Sequence, residues 1–206
     1  MEKLLKAFMD MLETDESDIS SDEDLDTETA SDSKHENYDG RLIKMNGATL
    51  VHNDIVANLM RETGYFLKGK PSRVLSGDMR VGINSLESYM YPDVIIVDDK
   101  PELEEDEQDT LTNPSVLIEV LSPATEARDR GVKFYYYRQI SSLKEFILID
   151  PDRYSIEIWK RQTENSWNLT TVTDPAGVLE ISTIHFYLPL KEIYRNVEFE
   201  EESDEK

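Results

Sequence analysis

Two short runs of β-branched and aliphatic residues, each carrying one carboxylate, constrain the fold of this chain more than any other feature. The first is Tyr91-Pro92-Asp93-Val94-Ile95-Ile96-Val97, and the second is Ser115-Val116-Leu117-Ile118-Glu119-Val120-Leu121-Ser122. Nearly continuous apolar runs of this length, bounded by Pro, Asp and Ser, predict strands buried on both faces of a central sheet. An ionised carboxylate in such a run is costly unless it is paired or coordinates a cation. Asp93 and Glu119 are therefore the first candidates for chemistry.

The rest of the pattern surrounds these strands with helices. Apolar residues near one face predict a helix over 50–67, opened after Gly47-Ala48 and stopped at Lys68-Gly69-Lys70-Pro71. Ser72–Val74 and Met79–Ile83 read as short strands around Ser76-Gly77-Asp78, with 84–91 as a connection. A second helix is predicted over Glu126–Gln139 with Thr125 as its N-cap. A third buried strand follows at Phe146–Ile149, then an antiparallel pair at Tyr154–Lys160 and Trp167–Val172. Leu179, Ile181 and Ile184 mark a further strand, and Pro189–Tyr194 a last helical turn. The order predicts an α/β fold, a mixed central sheet with flanking helices and an added β-hairpin.

Charge divides the 206 residues more sharply than hydropathy does. The formal net charge is −22, yet residues 1–39 carry −11, and 100–110 and 198–206 carry −5 each, leaving about −1 for everything else. Residues 14–39 bury too little apolar surface to offset their ordering entropy, so 1–39 is predicted to be an acidic, largely disordered tail. A short amphipathic helix is expected within 1–13. The tail reads as a solubilising segment or as a phosphate-mimicking strip over the protein's own groove. The run 102–109 is predicted to be an inserted surface loop. The body spans 40–199, and 200–206 is a second acidic tail. Lys68, Lys70, Arg73, Arg80, Arg128, Arg130 and Arg138 are the candidates for a basic face on the near-neutral body. The absence of cysteine removes disulfides and thiolate metal sites. With no basic-then-apolar leader and no spanning stretch, the expectation is a soluble cytoplasmic protein.

If the start of one strand lies beside the end of the other, Asp93 and Glu119 approach each other and repel unless a cation intervenes. A hard divalent ion suits such oxygen ligands and lowers the pKa of a bound water. Asp129 and Lys133 are four residues apart and share a helix face. An ammonium there could orient water or stabilise charge on a phosphorane, while a plain buried ion pair would show the same spacing. His52, at the helix start, reads as a packing residue rather than a general base. Tyr135, Tyr136 and Tyr137 cannot all face one way.

YPDVIIVDD, NPSVLIEVLSPATEARDRGVKFYYYRQI and KEFILIDPDRYSIEIWKR together resemble the Uma-two family of restriction-endonuclease-like proteins, within the PD-(D/E)XK nuclease superfamily, over about 38–199. The resemblance implies a restriction-endonuclease-like αβββαβ core. It also implies an endonuclease hydrolysing DNA phosphodiester bonds with Mg²⁺, or Mn²⁺ in its place. By position, Asp93 and Glu119 are metal ligands, the Val120 carbonyl is a third, and Asp78 stands near the same site. Leu121 occupies the motif-lysine position two after Glu119, and Lys133 matches the family's lysine on the following helix. Enzymes of this superfamily that cut both strands imply a homodimer. The alternative is a catalytically silent fold that binds nucleic acid or a partner protein.

Overall fold

The computed structural model describes residues 34–45, 47–105 and 107–199. The helix expected within 1–13, the acidic stretch up to residue 33 and the terminus from residue 200 lie outside these residues. Among the described residues the strands form two six-stranded sheets and one two-stranded sheet.

The central sheet follows from the parity of its apolar residues. Its strands are β3 (Arg73–Ser76), β6 (Val94–Val97), β9 (Val116–Val120), β10 (Glu145–Ile149), β11 (Ile156–Thr163) and β12 (Ser166–Val172), in the order β12-β11-β10-β9-β6-β3. Only β9 and β10 run parallel; β6 pairs antiparallel with both β9 and β3, and β11 with both β10 and β12. Side chains alternate between faces at every residue of a strand. Val94, Ile96, Val116, Ile118, Val120, Ile147 and Ile149 accordingly join one core. Ile95, Val97, Leu117, Leu121, Phe146 and Leu148 join the other. Glu119, between Ile118 and Val120, falls by the same parity on the second face.

The first core is covered by α1 (Leu50–Leu67), whose buried residues Ile55, Leu59, Thr63 and Leu67 recur every four positions. Thr49 caps it, its Oγ1 accepting from the His52 backbone N–H at 3.2 Å. The buried Asn58 amide donates to the Ile193 and Arg195 carbonyls, tying α1 to the chain's last described segment. There β13 (Val178–Ile181), β14 (Phe186–Pro189) and α4 (Leu190–Ile193) complete that layer. Tyr65 lies away from that face and is 80% exposed.

The second core lies under one helical stretch built of α2 (Glu126–Arg128), a π-helical segment (Asp129–Lys133) and α3 (Phe134–Tyr137). Thr125 makes no side-chain capping bond; its hydroxyl pairs instead with that of Ser122 at 2.9 Å. The second sheet closes the same side, in the order β2-β1-β5-β4-β8-β7. It consists of β1 (His35–Tyr38), β2 (Arg41–Lys44), β4 (Arg80–Ile83), β5 (Ser88–Met90), β7 (Leu103–Glu104) and β8 (Glu107–Leu111). The fold is thus mixed α/β. Along the chain α1, β3, β6, β9, the π-interrupted helix and β10 follow one another with strands of the second sheet between them, and β11–β12 form an antiparallel hairpin beside β10.

Two expectations are corrected here. The body begins before Gly40, because β1 pairs with both β2 and β5 and buries Glu36. The acidic run 102–109 is not a loop: β7 and β8 form the edge of the second sheet, β8 pairing parallel with β4. Backbone pairing tolerates acidic side chains at an edge, where charge discourages association with another sheet.

Candidate active site

The antiparallel register of β6 and β9 places Val94 opposite Ile118, so the residue just before β6 meets the end of β9. Asp93 Oδ2 accepts the Val120 backbone N–H at 2.7 Å and lies 3.2 Å from His52 Nε2. Glu119 Oε1 accepts from Lys133 Nζ at 2.9 Å and from the Tyr137 hydroxyl at 2.8 Å. Asp93, Glu119, Val120, Asp129 and Lys133 all line one cavity of about 340 Å³, together with Glu36, His52 and Arg128.

Lys133 is the hub. Besides Glu119 it meets Glu36 Oε1 at 2.9 Å and Asp129 Oδ1 at 3.4 Å. All four side chains are almost fully buried. Asp129 and Lys133 both bracket the π-helical segment, a distortion frequent at functional sites. Glu36 accepts in turn from the Tyr38 hydroxyl at 2.7 Å and the Tyr91 N–H at 3.3 Å.

Each titration follows from this crowding. Burial works to raise the Glu36 carboxyl, but the Lys133 ammonium and then the Arg128 guanidinium outweigh it and hold it below the ordinary carboxylate value. Burial pushes Glu119 well up, opposed by Lys133 and reinforced by Asp129, Asp93 and Glu36. Burial also raises Asp129, again against Lys133. Burial alone would lower Lys133, and the carboxylates of Glu119 and Glu36 hold it well above its usual range. His52 is raised because Asp93 outweighs the effect of burial, with Asp129 and the Val120 backbone assisting.

These directions set a pH dependence. Tyr38 and Tyr137 are pushed well above their ordinary 10.0, first by burial and then by Glu36 and Glu119 respectively. Tyr136 rises to about 12 through burial. A group raised in the fold contributes stability that is full below its unfolded pKa and is lost as pH rises. The three phenols and Lys133 therefore act with one sign, and urea midpoints should fall steadily above about pH 10. On the acid side, Glu36 loses its contribution as pH falls below its ordinary 4.5. Glu119 and Asp129 act oppositely, so that limb should be shallower. A midpoint unchanged from pH 9 to 12 would contradict the assignment.

The donor set suits a hard cation. Four carboxylates line the cavity with two permanent cations and His52, and among the described residues Asp129 Oδ1 is buried with the Lys133 ammonium at 3.4 Å but no hydrogen bond. Among the described residues no three of His, Cys, Asp or Glu are arranged to hold a metal ion.

Of the residues singled out from sequence, Asp93, Glu119, Val120 and Lys133 come together, and Asp78 does not. A Cβ at Gly77 would stand 3.2 Å from the Pro92 carbonyl, so this turn does approach Asp93. The Asp78 carboxylate nevertheless turns outward, 85% exposed, and pairs with Lys34. Glu36 carried no signal at its spacing, whereas Tyr137, four residues after Lys133, continues the spacing of Asp129 and Lys133. The expected basic face is partly committed elsewhere: Arg80 bonds Thr110 and Asp109, and Arg130 bonds Glu126 and Glu157.

A family model described as "Uma2: Putative restriction endonuclease" matches residues 22–191. The chain belongs to the Uma2 family. Two relatives in Synechocystis sp. are the uncharacterized proteins sll1609 and slr1290. The first is 33% identical over 158 residues, covering 77% of this chain and 89% of that protein. The second is 28% identical over 183 residues, covering 88% and 94%. Among solved structures, the crystal structure of a "putative nuclease belonging to DUF820" from Anabaena variabilis superposes with a TM-score of 0.69 at 17% identity. It covers 85% of this chain and 97% of that one. At that identity the likeness shows a shared fold alone. Among the described residues no helix is long and apolar enough to cross a membrane.

Proposed function

We propose that this Uma2 protein is a Mg²⁺-dependent endonuclease hydrolysing phosphodiester bonds in DNA. The observation that carries this reading is the convergence of Asp93, Glu119 and Lys133 on one cavity. The Asp93 and Glu119 carboxylates and the Val120 carbonyl would hold Mg²⁺, or Mn²⁺ in its place. When bound, the ion would polarise the phosphoryl group and acidify a water. The Val120 N–H fixes the Asp93 carboxylate, and the Tyr137 hydroxyl fixes Glu119. Lys133, kept charged by Glu36 and Glu119, supplies a positive charge beside negative charge developing on the phosphate. Asp78 has no part in this assignment.

The test is cleavage of supercoiled plasmid by the full chain with Mg²⁺, with and without EDTA. Cleavage should require the ion and be lost in both Asp93→Ala and Glu119→Ala. Activity surviving in both variants would remove these residues from the site.

A second reading, a silent fold that binds nucleic acid or a partner protein, has one observation in its favour. The hydrogen bonds of the Lys133 ammonium go to carboxylates, as in a structural ion pair. Calorimetry with Mg²⁺ or Mn²⁺ separates the two readings: heat abolished by Glu119→Ala supports the nuclease, and absence of site-specific heat supports the silent fold.

A further inference from the structure

Arg128 is the loosely held cation of this cavity: its ion pair with Glu36 spans 3.9 Å and no hydrogen bond among the described residues reinforces it. Its side chain is 11% exposed and lines the cavity, yet among the described residues its guanidinium makes no hydrogen bond. Its Nε is buried without a partner. Its ion-pair partner, Glu36 Oε2, is 3.9 Å from Nη2, beyond hydrogen-bond reach. Glu36 is already engaged by Lys133, Tyr38 and the Tyr91 backbone.

Other arginines that turn inward are used differently. Arg161 donates to the carbonyls of Leu143, Glu164, Arg138 and Ile140, and so braces the loop after α3. Arg80 bonds Thr110 and Asp109. A largely buried guanidinium whose Nε–H lacks an acceptor is costly, and a ligand that supplies acceptors at that point would relieve the cost. The planar fork matches two oxygens of one phosphate. Burial opposes the charge on Arg128, but the surrounding acids keep it fully protonated. The cavity lies at the small end of ligand sites, a size suited to one phosphate and its sugar rather than to a length of duplex.

We propose that Arg128 is a phosphate-binding subsite, its guanidinium gripping the non-bridging oxygens of a nucleic-acid backbone phosphate presented to Asp93 and Glu119. This assignment rests on the nuclease reading and deepens it, since it names the contact that seats the backbone. It makes Arg128 a binding group distinct from Lys133, whose ammonium is already saturated by carboxylates. Four carboxylates around the cavity would repel a bare phosphate, so binding calls for a divalent cation.

The experiment uses the full chain with Ca²⁺ in place of Mg²⁺ and a short fluorescein-labelled DNA duplex, followed by fluorescence anisotropy across a NaCl series. Arg128→Gln should weaken binding by about tenfold or more. It should also reduce the slope of log K against log salt by about 0.9, one phosphate contact. Arg128→Lys keeps the charge without the fork and should retain the slope at intermediate affinity. If the Gln variant does not fold, the Lys variant carries the test, and wild-type affinity in it overturns the bidentate contact. If the wild type binds DNA and Arg128→Gln changes neither affinity nor slope, the subsite is wrong while the nuclease reading stands. If the wild type neither binds DNA with Ca²⁺ nor cleaves it with Mg²⁺, both fall together.

Discussion

Lys133→Met should lower the free energy of unfolding by about 3–5 kcal/mol, the cost of stranding a buried charge by removing its partner. The substitution keeps an unbranched side chain of similar length, so little packing is lost. What is lost is the single ammonium that Glu36, Glu119 and Asp129 share. Those carboxylates are nearly inaccessible to water, and Arg128 at 3.9 Å is the remaining cation beside Glu36. The variant should recover by protonation. Its stability deficit relative to the wild type should shrink as pH is lowered from 8 to 5, because three stranded carboxylates take up protons more readily than ones paired with an ammonium. Adding Glu36→Gln should restore part of the loss, because it removes one stranded charge and keeps an acceptor for Tyr38. Denaturant unfolding of the two single variants and the double variant closes the cycle. A Lys133→Met protein within about 1 kcal/mol of wild type would show that the carboxylates are already neutral, and the charge account of this site would fail. Cleavage should be lost in the single variant even at temperatures where it is folded.

The legible part of this site was the part set by local geometry. Period-two parity puts Glu119 on one face between Ile118 and Val120, and spacing of four puts Asp129 beside Lys133. Both rules act within a few residues and survive tertiary context. Glu36 was hidden for the opposite reason. It sits in a polar stretch that continues an acidic tail, and what buries it is a lysine almost a hundred residues later. A strand with one carboxylate and a tyrosine, in a segment dominated by Asp, Glu and Ser, shows no apolar alternation to separate it from that tail. Asp78 failed differently: its backbone turn does approach Asp93, as Gly77 requires, but proximity of a turn does not fix where its side chain points. The edge formed by β7 and β8 was missed because strand pairing there is decided by backbone hydrogen bonds and not by burial of side chains.

Phe146→Ala should cost about 3–5 kcal/mol, as expected for truncating a fully buried aromatic side chain that leaves a cavity. Phe146 is 0% exposed on β10, in register with Leu117 on β9. Its ring lies 5.5 Å from that of Tyr137 and 5.7 Å from that of Phe134, while Phe134 packs onto Trp159 at 4.7 Å. This aromatic group seats α3 on the central sheet, and α3 carries the hydroxyl that holds Glu119. The effect should therefore reach the site. At a temperature where the variant is mostly folded, cleavage per folded molecule should still fall, because Tyr137 loses the wall that orients it. Phe146→Leu, which refills most of the volume, should cost less and leave the site closer to wild type. Urea unfolding measures the first effect, and plasmid cleavage normalised to folded fraction measures the second. If Phe146→Ala lost the expected stability but kept full cleavage per folded molecule, the Tyr137 hydroxyl would not be positioning Glu119. Comparing it with Tyr137→Phe, which removes that hydroxyl and little packing, separates positioning from stability: the two variants should converge in activity while differing widely in unfolding free energy.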